Sequence, residues 1–191
     1  VKRYNHINTR KYNKNERFYP QDDLAAHIIG YYNADADTAS GLIYGGTSAM
    51  FPSAMTLAQC WNPSLALEYG TMIGNEGLLG GADGWYAPSM NIHRTPFSGR
   101  NGEYYSEDAM LTSIIGTSVC AAMKTKGLQA QPKHLAFNHQ ETNRSGISTF
   151  MSEQAARENE LRAFQEVMSS NACLSIMTAF NRVGTEYVGA N

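Results

Sequence analysis

A chain of 191 residues is long enough for one domain with a sizeable core, and too short for a complete eight-unit α/β barrel of about 250 residues. Hydrophobic residues make up 42%, charged residues 17%, and the formal net charge is only -2, which argues against a disordered chain and against nucleic acid as a partner. No apolar run reaches the roughly 18 residues of a membrane span, and Val1 to Arg10 lacks the apolar stretch of a signal peptide, which favours the cytoplasm and leaves secretion open.

The first twenty residues, basic at Lys2, Arg3, Arg10, Lys11, Lys14 and Arg17, show no apolar period and read as an arm ending at Pro20. Leu24, Ala25, Ile28 and Ile29 suggest a short helix from Asp22 to near Gly30. Residues 1–35 are therefore expected to be an arm and linker, and Asn33 to Gly46 is loop-like. Asn62 followed by Pro63 marks a helix start, because Asn caps free N–H groups and Pro needs none at the first helical position. That helix should run through Leu65, Tyr69, Met72, Ile73 and Glu76 to about Leu79, closed by Gly80 and Gly81.

Trp85 to Ile92 is a strand candidate, followed by a polar loop from His93 to Ser106. Asp108 should cap a helix through Met110, Leu111, Ile114, Ile115, Val119 and Met123, with Lys124 and Lys126 in its last turn and Gly127 beyond. A strand at about Ala130 to Phe137, a polar loop through Gly146, a helix from Ser152 to about Ser170 and a strand at Leu174 to Phe180 complete the pattern. Strand, loop and helix recur in that order, as in βα units around a parallel sheet, and the polar clusters fall at the carboxyl ends of strands, where function collects. Cys60, Cys120 and Cys173 read as buried small apolar residues rather than a disulfide framework or metal knuckle. Trp61, Trp85 and Met110, Met123, Met151 and Met168 are expected in the core.

Two segments exceed what propensity explains: Asn91-Ile-His-Arg-Thr-Pro-Phe-Ser-Gly-Arg-Asn-Gly-Glu-Tyr-Tyr-Ser-Glu-Asp108 and Lys133-His-Leu-Ala-Phe-Asn-His-Gln-Glu-Thr-Asn-Arg144. Both resemble glycoside hydrolase family 3. Met177-Thr-Ala-Phe-Asn-Arg182, Ala49-Met-Phe-Pro-Ser-Ala54 and Trp61-Asn62 resemble further signatures of that family. The resemblance covers about Ala36 to Asn191 and implies an α/β fold, a partial (β/α)8 TIM-type barrel over residues 36–191, cut before the nucleophile. By matching positions it implies that a non-reducing terminal sugar is held by Asp37, Arg100, Lys133, His134, Arg144 and Met177. Thr38 and Ala39 replace the Gly-Pro that usually follows the Asp, and Phe180 stands where many relatives have Tyr.

A pyranose offers paired hydroxyls that a carboxylate such as Asp37 can accept from, while Lys133, His134, Arg100 and Arg144 donate charge-assisted bonds of about 1.5 to 3 kcal/mol each. The resemblance implies hydrolysis of terminal β-D-glucosyl or related residues by retention, with no cofactor and no metal, and with nucleophile and acid/base carboxylates about 5 to 5.5 Å apart. The nucleophile motif has no match, so its Asp is expected downstream of Asn191 and the chain by itself should be inactive. The partners are then a β-glucoside or oligosaccharide and the remaining domains of the same protein.

Among the other carboxylates, Asp108 with Glu107 reads as a helix cap and first-turn charge, and Glu141 as a fixture for Arg or Asn in its loop; Glu103 remains a candidate acid. Arg94 should pin its loop. His93, His134 and His139 lack metal-ligand spacing, since the last two stand five positions apart. Alternative readings are a non-catalytic or degenerate carbohydrate-binding barrel, favoured by Thr38, Ala39 and Phe180, and a barrel metallohydrolase. A partial barrel would leave a sheet edge and apolar helix faces uncovered, so self-association is expected if the segment folds alone.

Overall fold

The computed structural model of the chain describes residues 49 and 51–191, which belong to one compact unit, Asn33–Asn191. The expected arm, the helix from Asp22, Asp37, Thr38 and Ala39 lie outside the described residues.

Helix α1 spans Ala54–Gln59 and is capped by Ser53, whose hydroxyl accepts from the Thr56 N–H. Helix α2 is Pro63–Gly80; Asn62 Oδ1 accepts from the amides of Ser64 and Leu65, and Gly81 ends the helix in the left-handed conformation at φ 71°. Both ends follow from local chemistry, since Asn satisfies orphan N–H groups and only glycine enters that conformation without Cβ strain. Helix α3, Ala109–Lys124, starts where Asp108 Oδ1 accepts from Leu111 N at 2.6 Å. Ser152 opens the next helical stretch, made of Glu153–Ala155 (α4), a π-helical turn Ala156–Glu160, and Arg162–Ser169 (α5).

The strands are shorter than the apolar runs suggest. Gly84–Trp85 (β1) pairs in parallel with Gln129–Ala130 (β2), and Lys133–Leu135 (β3) pairs in parallel with Met177–Thr178 (β5). Pro88 and Pro132 interrupt the first two runs because proline has no N–H for the ladder, although both carbonyls are used: Lys133 N donates to Pro88 O and Met177 N to Pro132 O, each at 2.9 Å. A bridge between Ser89 and Lys133 carries the pairing across the break. The Ala87–Pro88, Lys133–His134 and Leu135–Ala136 peptides are cis. Beyond the third strand, Ser148–Thr149 (β4) pairs in parallel with Arg182–Val183 (β6), which forms a hairpin with Glu186–Tyr187 (β7). Three successive parallel segments with helices between them make an α/β unit; the described residues do not close a barrel.

Helix α3 packs against both α2 and α5. Its buried row Ile115, Val119 and Met123 meets Tyr69 and Ile73 of α2, while Ala163, Phe164 and Val167 come from α5 and Trp85, Met90 and Ala130 from the strand side. Gly70 permits the close approach of α2 and α3: a Cβ there would press on the Val119 carbonyl oxygen and lie 2.9 Å from Val119 Cα. Backbone cannot yield as a side chain can, so Gly70→Ala should destabilise the fold by about 1–3 kcal/mol, read as a lower denaturant midpoint with an unchanged slope.

Several core expectations need correction. Trp61 is 72% exposed because it lies in the turn between α1 and α2 at φ 52°, outside the helix faces that meet the core. Cys60 is also exposed, whereas Cys120 and Cys173 are buried. Met110 shares an outward face of α3 with Ile114, and Met168 ends α5 half-exposed; Trp85 and Met123 are buried and Met151 is partly so.

A candidate sugar-binding site at the strand ends

Strand β3 is the spine of the site. Lys133 pairs with Met177 of β5, so these two residues, each the first of its strand, stand side by side across the ladder. His134 is held by Asn91, whose side-chain amide grips its peptide at both ends: Nδ2 donates to the His134 carbonyl at 2.9 Å and Oδ1 accepts from His134 N at 2.8 Å. Asn91 is itself buried, which makes this pair a rigid link between the segments that follow β1 and β2.

The loop from His93 to Ser106 carries the next two charges. Its ends are tied by His93 N donating to Ser106 O at 3.0 Å, and His93 Nε2 lies 2.9 Å from the Asn101 carbonyl oxygen. A short 3-10 turn, Asn101–Glu103, brings Glu103 back over Arg100, where the carboxylate accepts from Arg100 Nε. The same carboxylate accepts from Ser89 Oγ at 2.6 Å and stands 3.8 Å from Lys133 Nζ. Behind it, Tyr104 OH donates to the Asn138 carbonyl and receives Asn138 Nδ2, both at 3.1 Å, joining this loop to the one after β3.

That second loop supplies Glu141 and Arg144. Glu141 bridges two guanidiniums, with Oε2 at 3.1 Å from Arg144 Nη1 and Oε1 at 3.6 Å from Arg100 Nη1. The Arg144 guanidinium also lies over the Phe180 ring, 4.7 Å from its centroid. The result is a row of alternating charge, Lys133, Glu103, Arg100, Glu141 and Arg144. Three cations against two carboxylates leave the row with one net positive charge.

Lys133 is 1% exposed, and burial lowers its ammonium to about 8 although Glu103 lies alongside. The His134 imidazole, 4% exposed, is pushed down to about 2 by burial and then by the charges of Arg100, Lys133 and Arg144. It is therefore a neutral hydrogen-bonding group at neutral pH. Between the unfolded value of 6.5 and the folded value of about 2 the unfolded chain binds a proton that the native state refuses. Stability should accordingly fall as pH drops below 6.5, and the His134 ring resonances should not titrate between pH 8 and roughly 4; a midpoint near 6.5 in an NMR titration would contradict this geometry.

The expected site residues Arg100, Lys133, His134, Arg144 and Met177 thus stand together around one strand end, while Asp37 is outside the described residues. Glu141 holds two arginines, Arg94 reaches Glu160 of the helical stretch, and Asp108 caps its helix. Glu103, read from the sequence only as a candidate acid, stands as the shared partner of Ser89, Arg100 and Lys133; its local signal is its place three residues after Arg100. Asn91, Ser89 and the Tyr104–Asn138 pair were missed, because their partners are 34 or more residues away or turn on a fold already formed. Among the described residues no group of three or more His, Cys, Asp or Glu is placed to hold a metal.

Residues 28–187 match the model of the glycosyl hydrolase family 3 N terminal domain. A probable beta-glucosidase I of Aspergillus niger is 34% identical over 147 residues, covering 77% of this chain and 18% of that protein. Beta-glucosidase BoGH3A of Bacteroides ovatus is 39% identical over 133 residues, covering 70% of this chain and 18% of its own length. In three dimensions the chain is similar to beta-glucosidase 3B of Thermotoga neapolitana, solved in complex with glucose, with a TM-score of 0.75, 37% identity and coverage of 82% of this chain and 23% of that one. It is likewise similar to DesR, a beta-glucosidase from Streptomyces venezuelae in complex with D-glucose, with a TM-score of 0.77 and 32% identity over 81% of this chain and 20% of that one. The chain spans about a fifth of the length of the relatives it matches. With the motifs, the strand-end cluster and the profile match all falling on the same stretch, the chain belongs to glycosyl hydrolase family 3.

Proposed function

We propose that this chain is the front part of a (β/α)8-type barrel and supplies the sugar-binding side of a retaining glycoside hydrolase that removes terminal β-D-glucosyl or related residues. The observation that carries this reading is the convergence of Arg100, Lys133, His134 and Arg144 around the end of β3, organised by Glu103 and Glu141. Lys133, the arginines and the neutral His134 would donate to or exchange hydrogen bonds with ring hydroxyls, Met177 would lie against the sugar's apolar side, and Asp37 would accept from two hydroxyls. The cations would also keep a nearby carboxylate ionised, so that it can attack the anomeric carbon. That nucleophile and the proton donor would come from the rest of the full-length protein. A degenerate, binding-only barrel is the second reading, favoured by the phenyl ring of Phe180, which offers no hydroxyl.

The test is hydrolysis of aryl β-D-glucosides and β-D-xylosides by the full-length protein, with the product anomer followed by proton NMR. The β-anomer should appear first. Absence of hydrolysis, with glucose still bound, would select the degenerate reading; the α-anomer first, or no sugar bound at all, would overturn the proposal. The same reading predicts that residues 1–191 expressed alone associate, because Leu67, Leu78, Leu79 and Ile114 lie exposed on helix faces. Light scattering should give a mass above that of one chain, and a monodisperse monomer would count against a partial barrel.

A further inference from the structure

Among the described residues, Glu160 is the one carboxylate buried away from the row of site charges that still faces both site loops: its side chain is 1% exposed, on the π-helical turn Ala156–Glu160. Its Oε1 lies 3.2 Å from His139 Nε2, in the loop that carries Glu141 and Arg144, and 3.7 Å from Arg94 Nε, in the loop that carries Arg100 and Glu103. Neither Oε1 nor His139 Nε2 has an aligned hydrogen-bond partner. A buried carboxylate oxygen without an aligned donor costs stability, and such a group in a folded protein calls for an explanation. The π-turn, which widens the helix by one residue, is a local irregularity of the kind found at functional positions.

We propose that Glu160 is a positioning residue, acting through Arg94 and His139 to set the two cation-bearing loops against each other so that Arg100 and Arg144 converge on one ligand. The idea rests on the sugar-binding reading above for its functional consequence, but not for its structural one. Removing the carboxylate strands no buried charge on Arg94, which is 46% exposed and can turn to water. Global stability should therefore change little. The loops should loosen: Glu103 and Tyr104 in one, and Arg144 and Gly146 in the other, have amides bonded within their own loops and report on each separately.

The experiment compares wild type with Glu160→Gln in the full-length protein, by hydrogen exchange at those four amides and by kinetics on an aryl β-glucoside. Faster exchange in both loops is expected, with kcat/KM reduced roughly ten- to a hundredfold and KM raised, as displaced donors would do. A merely structural role would reduce the amount of folded enzyme and leave KM unchanged. Unchanged exchange in either loop, or unchanged KM, overturns the proposal. Should Glu160→Gln not fold, Arg94→Met and His139→Gln carry the test: each must speed exchange in its own loop, and failure of either to do so overturns it. If the wild-type protein hydrolyses no glycoside, the functional reading fails while the exchange data still decide the anchoring.

Discussion

Replacing Lys133 by alanine in the full-length protein is expected to cut turnover at least about a hundredfold while leaving the fold intact. A hundredfold corresponds to roughly 2.7 kcal/mol at about 1.36 kcal/mol per decade, within the 1.5 to 3 kcal/mol of a single charge-assisted hydrogen bond. Loss of one strong bond to a sugar hydroxyl is therefore enough. The fold should persist because the backbone bonds of Lys133 to Pro88 and Met90 do not involve its side chain, and because Glu103 keeps Ser89 and Arg100 when the ammonium is gone. Lys133→Met separates the two effects: it refills the space and should restore stability without restoring turnover. Near-wild-type turnover in either variant would refute the assignment. The native enzyme carries a matching signature, because the ammonium loses its charge near pH 8. KM should rise as pH rises through that value, and Lys133→Met should lack this limb.

Glu103→Gln should be damaging in a different way, reducing both activity and stability. Its carboxylate is the shared partner of Ser89, Arg100 and Lys133, and its side chain is 16% exposed. Taking one partner from a largely buried charge set costs about 3 kcal/mol, since the remaining cations keep their desolvation penalty. Lys133 would lose a neighbouring anion, and its ammonium should move further below its ordinary value. Glu141→Gln is the control of magnitude: that carboxylate is 36% exposed, and pairs screened by water are worth about 0 to 1 kcal/mol. Thermal or denaturant unfolding should thus rank Glu103→Gln well below Glu141→Gln, with kcat/KM following the same order. Equal effects would mean that Glu103 is not the hub of the row.

The two central helices were legible from sequence because their signals are local. Asn62-Pro63, Gly81, Asp108 and Gly127 act within one turn of the helix ends, so α2 and α3 begin and end close to where those residues place them. The motifs also brought Arg100, Lys133, His134 and Arg144 to notice as a set, since each loop is contiguous in the chain. Hydropathy overstated the strands, because an apolar run does not register that Pro88 and Pro132 withhold a ladder donor. It also put Trp61 in the core, where side-chain chemistry says little about which way a turn faces. Tertiary structure alone decided that Glu103 meets Lys133 thirty positions on, that Asn91 clasps the His134 peptide, and that Glu160 faces two loops at once. Those pairings depend on parallel strands adjoining across intervening helices, and no local preference encodes which residues that packing brings within a few ångströms.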